Sequence, residues 1–76
     1  MKEFDRVILQ VNLPEYGLLA GDIGTIVMVH NGGAGYEVEF MTLSGETVAV
    51  STLLKEQIRP IKQKEIAHVR QMAELG

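Results

Sequence analysis

The 76-residue chain holds few side chains that could do chemistry, and their spacing narrows what that chemistry would be. Glu37 and Glu39 stand two apart in "YEVEFM", with Glu46 across the next turn. Such carboxylates are raw material for a divalent cation or for acid–base catalysis. Alternation alone, however, puts both glutamates on the watered face of a strand, and a hard cation wants more oxygen ligands than this trio offers. His30 and His68 are far apart and lack an acidic companion at ligand spacing, whereas a metal site needs three or four convergent ligands. No metal is expected. "NGGAG" (Asn31 to Gly35) has the glycines of a phosphate loop, but Tyr36 and Glu37 stand where a P-loop carries its lysine and hydroxyl residue. A hairpin turn is expected instead. Ser44 and Ser51 have no histidine in a recognisable arrangement and cysteine is absent, so no nucleophile–base pair is expected. Arg6 and Arg59 are expected to pair with Glu3, Asp5 or Glu56 at the surface, worth about 0–1 kcal/mol each. The chain reads as a non-enzyme without a cofactor.

Composition points the same way. Seven bases against ten acids give a net charge of −3, with no basic patch, and the aromatics are two tyrosines and two phenylalanines. A nucleic-acid surface wants positive charge and stacking platforms, so that partner class is disfavoured. Hydrophobic residues make up 46% of the chain, so the core must be aliphatic. A chain this short buries only about 60% of its unfolded surface, and packing, helped by association, must stabilise it. No apolar run approaches the roughly 20 residues that span a bilayer, and "MKEFDRV" lacks the apolar stretch of a signal peptide. A cytoplasmic location is expected.

The elements that would position these residues follow from periodicity. Period 2 dominates to about residue 60. "RVILQV" puts Val7, Leu9 and Val11 on one side; "NLPEYGLLAGD" is a long connection punctuated by Pro14, Gly17 and Gly21. "GTIVMVH" is a second strand, "YEVEFM" a third with Tyr36, Val38 and Phe40 inward, and "TVAVS" a fourth with Val48 and Val50 inward. "TLLKEQ" is one helical or 3₁₀ turn, and "IRPI" a short last strand that Pro60, lacking an N–H, either confines to an edge or ends. Five short strands, a long first loop and a one-turn helix before the last strand describe an SH3-like barrel over residues 1–61.

Beyond it, "KQKEIAHVRQMAELG" shows period 3.6, with Ile66, Val69, Met72 and Ala73 on one stripe. An amphipathic helix over 62–76 is expected, and a helix of that length needs a surface to dock on. "AGDIGTIVMVH" supplies a reason for one. Gly21 suits a positive-φ turn, Asp22 can accept nearby backbone N–H groups, and Gly24 permits close approach or a bulge. Past them, Ile26 and Met28 point one way and Val27 and Val29 the other. A barrel interior takes only one pair, so the helix is expected to cover the other, on its own barrel or a neighbour's. Tyr16 and Leu18, beside Leu19 on the long loop, either close the open end of the barrel or border a protein-binding edge. The candidate partner-binding residues are Tyr16, Leu18, Val27, Val29, Ile66, Val69 and Met72.

The runs "LPEYGLLAGDIGTIV", "GYEVEF" and "GETVAVSTLLKEQIRPI" resemble a family of small bacterial proteins known as a domain of unknown function, over roughly residues 4 to 61. The "G-D-x-G-x-V"-like element, with Ile26 in its last position, is also similar to the glycine-anchored turns of KOW-type modules and of the nitrile hydratase β-subunit barrel. These resemblances imply the barrel fold. The basic residues through which KOW modules contact RNA have no counterpart here, and a shared fold assigns no activity. The expectation is a non-enzymatic accessory or protein-interaction module that self-associates or serves a larger bacterial partner. The alternatives are a nucleic-acid-binding KOW-like barrel and a small regulatory subunit of an enzyme.

Overall fold

Apolar residues at every second position give β1 (Arg6–Leu9), β2 (Ile23–His30), β3 (Gly35–Met41), β4 (Thr47–Leu53) and β5 (Ile58–Pro60) in a computed structural model that describes residues 1–72. They form one antiparallel sheet in the order β4-β3-β2-β1-β5. The turns are those the glycines foretell. Asn31, Gly32 and Gly33 carry positive φ between β2 and β3, and Gly45 does so before β4. A 3₁₀ turn at Lys55–Gln57 joins β4 to β5. The Gln57 side-chain oxygen accepts the Leu54 N–H at 2.8 Å, and Gln10 donates to the Glu56 and Ile58 carbonyls.

The sheet is curled but not closed, which corrects the expected barrel. The chain from Leu53 to Ile58 reaches at most about 18 Å fully extended, whereas the edge strands of a flat five-stranded sheet lie about 19 Å apart. The 3₁₀ turn shortens that reach further, so the sheet must bend. Its two edges nevertheless exchange no ladder, since β4 pairs only with β3 and β5 only with β1. The physical reason lies in β5, three residues long and ending at Pro60, which has no N–H to donate.

Val7 and Leu9, Ile26, the alternate residues Tyr36, Val38 and Phe40, and Leu53 and Ile58 fill the concave side. Leu13 and Leu18 of the long loop, facing each other in an isolated bridge, complete that core. The core therefore includes the loop leucines as a plug. Gly24 lies beneath it: a Cβ there would stand 2.5 Å from Val38 Cγ1 and 2.9 Å from Phe40 Cε1.

Two bulges revise the expected facing of side chains. In β2 the pairing runs Ile26 to Val38 and then Met28 to Glu37, leaving Val27 as the extra residue. Alternation restarts after it, so Ile26 and Val29 both face the core while Val27 and Met28 both face out. A second bulge leaves Val48 extra between the Phe40–Ala49 and Met41–Thr47 pairs, so Val48 faces the core as expected and Ala49 packs there beside it, while Ser51 and Leu53 follow inward and Val50 turns to solvent. One inserted residue shifts every later side chain to the opposite face.

The expected C-terminal helix is absent: residues 61–72 form neither helix nor strand, and Ala73–Gly76 of that expectation lie outside the described residues. A helix this short is marginal in water. Lys64 adopts φ 64°, which interrupts a helical nucleus at its start. Glu65 and Arg70, moreover, are held by groups on the sheet and long loop rather than by helical neighbours.

Candidate functional site

The residues singled out for chemistry are tied into the sheet. Glu37 accepts the Thr52 hydroxyl at 2.6 Å and lies 3.0 Å from His30 Nε2, across β3 from β4 and β2. Hydrogen bonds from Thr52 and His30 hold its carboxyl below the usual range. Glu39 accepts Thr47 Oγ1 at 2.8 Å. Glu46 sits in the β3–β4 turn and His68 is exposed on the tail, so neither joins them. Among the described residues no three metal-ligating side chains converge.

A more organised place is the long loop and the tail that crosses to it. Pro14–Tyr16 makes a 3₁₀ turn that Gly17 ends in the left-handed region at φ 70°. Asn12 Oδ1 accepts the Ala20 N–H at 2.9 Å, and Asp22 Oδ2 accepts the Leu19 N–H at 2.8 Å. Gly21, at φ 100°, lets the chain turn between them. Arg70 then reaches Asp22 with both arms of its fork, Nε to Oδ1 at 2.8 Å and Nη2 to Oδ2, and Nη2 also donates to the Gly17 carbonyl at 3.1 Å. Partial burial pushes the Asp22 carboxyl upward. The hydrogen bonds from Arg70 and Leu19 and the Arg70 charge outweigh it, so the net shift is downward.

A second clasp ties the near end of the tail. Arg59, on β5, donates Nη1 and Nη2 to Glu65 Oε1 and Oε2 at 2.9 and 2.6 Å, and the Lys62 N–H donates to Oε1 at 2.5 Å. The Arg59 fork and the Lys62 amide lower the Glu65 carboxyl to about 2. Arg59 thus pairs with Glu65 rather than with Glu3, Asp5 or Glu56.

Between the clasps the tail bridges like a strap. Ile66 is 94% exposed and Val69 72% exposed. Beneath it runs a groove of about 830 Å³ lined by Ile8, Ile23, Met41, Val48 and Ile61. Ile8 and Ile23 are opposed residues of β1 and β2 on the side away from Val7 and Leu9.

Of the residues expected to bind a partner, the groove brings together Leu18, Ile66, Val69 and Met72. Leu18 belongs mostly to the core, and Met72 lies half-buried with its methyl against Gly17. Tyr16 is exposed on the loop away from the groove; Val27 is the bulge residue and Val29 packs on the core. Asp22 and Arg70 were not foreseen as partners, because 48 residues separate them. Asp22 carried a partial signal, as a turn residue able to accept backbone N–H groups.

Compared with known proteins, the chain matches the family described as Domain of unknown function (DUF4926) over residues 3–60. No curated protein and no solved structure matches it. The matched span contains Gly17, Asp22 and all five strands.

Proposed function

The chain belongs to the DUF4926 family, and from that premise we propose that it is a non-enzymatic accessory module of the bacterial cytoplasm that docks another protein on the apolar groove its tail straps. The observation that carries this reading is the apolar surface around the groove. Leu43, 91% exposed, and Met41 and Ile61 rim it from the sheet side, while Ile66 and Val69 face solvent from the strap. Contiguous apolar surface of this kind marks interaction sites on small proteins. The polar groups suited to catalysis are engaged in cross-strand bonds, which favours a binding role over the enzyme-subunit alternative. Among the described residues, no helix is long and apolar enough to cross a membrane.

The test compares the wild-type chain with Leu43→Glu and Met41→Glu as bait for cross-linking in native cells, with light scattering to follow self-association. The expected result is one defined protein adduct, or one defined oligomer, that both variants lose. Identical adducts and identical mass for all three chains would rule the docking surface out.

A further inference from the structure

The strap shows what its own anchor recognises. The acceptor is built without Arg70: the Leu19 N–H fixes the Asp22 carboxylate, and the left-handed Gly17 closes the 3₁₀ turn whose carbonyl stands beside it. Together they offer three acceptor positions to one planar fork, an arrangement that suits a guanidinium and not an ammonium. Two residues on, the Met72 methyl rests on Gly17, where a Cβ would stand only 3.0 Å away. The occupant is otherwise lightly held. Its middle, Ile66 to Val69, buries little, and apolar space remains open between it and the sheet.

We propose that Asp22 and the Gly17 carbonyl form a guanidinium notch for an extended, arginine-bearing segment of a partner protein, with Arg70 as the occupant in cis that the partner displaces. The recognised segment carries arginine, an apolar side chain two residues later, and apolar residues before it that fill the groove under the displaced strap. The chain is then closed to casual ligands until a competing segment arrives. This deepens the docking reading above, and its test requires no natural partner, so the two can fail separately.

The probe is a fluorescent peptide with the sequence of residues 64–76, titrated by anisotropy into the full chain. Arg70→Ala vacates the notch, and the peptide should bind this variant about tenfold more tightly than the wild-type chain, whose notch is mostly filled in cis. Asp22→Asn in the Arg70→Ala background keeps an oxygen for the Leu19 N–H but removes the charge, and binding should fall by about tenfold or more. A peptide with lysine for the arginine should bind as poorly. Unchanged amide spectra for the sheet residues of each variant establish that the fold is intact. Equal affinity for wild type and Arg70→Ala overturns the proposal, as does no binding to Arg70→Ala at millimolar peptide. Indifference to Asp22→Asn or to lysine overturns it too. A wild-type dimer that dissociates on Arg70→Ala would assign the notch to a second copy's tail and overturn the separate partner.

Discussion

Single side chains decide where the tail lies. The Arg59 fork holds the Glu65 carboxyl down to about 2 from an ordinary 4.5, and the Arg70 fork holds Asp22 below its ordinary 3.8. Both carboxylates are therefore depressed in the folded state, so the clasps are complete above the ordinary carboxylate range and fail as pH falls through the folded values. Acidification from about pH 5 to about pH 2 should loosen the Glu65 clasp, and acidification below the ordinary aspartate range the Asp22 clasp, while the sheet stays folded. Nitrogen-detected resonances of the Arg59 and Arg70 side chains report this directly: Arg59 should move to its free-arginine position with the Glu65 carboxyl and Arg70 with the Asp22 carboxyl. Shifts confined to the backbone of the strands would show that the clasps are not what titrates. The clasps were illegible beforehand, since Asp22 and Arg70 share no local pattern. Gly24 was legible: a glycine there signals a close approach or a bulge, and the approach is that of Val38 and Phe40.

At the level of strands, existence and order followed from alternation, and facing did not. A bulge adds one residue without altering composition, so the "TIVMV" run looks uniformly two-faced when in fact its phase resets at Val27. Val27 and Val29 would behave alike in an unbroken strand. Here Val29→Asp should destabilise the fold by more than about 2 kcal/mol, since it sets a charge against the core, while Val27→Asp stays within about 0.5–1 kcal/mol. Urea denaturation of both variants measures the difference, and equal losses would dismiss the bulge. The tail failed for the opposite reason. Its helical spacing is real, but periodicity says nothing of the competing ion pairs that hold Glu65 and Arg70 to β5 and the long loop.

For the molecule as a whole, stability rests on a small aliphatic core. Globular chains hold about 0.05–0.15 kcal/mol per residue, or roughly 4–11 kcal/mol for this length. Ile26 is fully buried, and Ile26→Ala should remove about 2–5 kcal/mol, lowering Tm by more than about 8 °C. Ile66→Ala, on the strap, should leave Tm within about 4 °C. Calorimetry separates the two, and a comparable drop for Ile66 would mean the tail is part of the cooperative unit. Closure of the sheet was beyond sequence reasoning because it depends on whether two distant edges meet, and Pro60 keeps β5 from offering a ladder. That asymmetry has a consequence for assembly. One border of the sheet is blunted at three residues while the other, β4, offers seven whose outer side pairs with no strand among the described residues. Strand addition is thus available on one flank only, so copies that join by it stop at a two-fold pair, and fibril growth by sheet extension has no second end from which to continue.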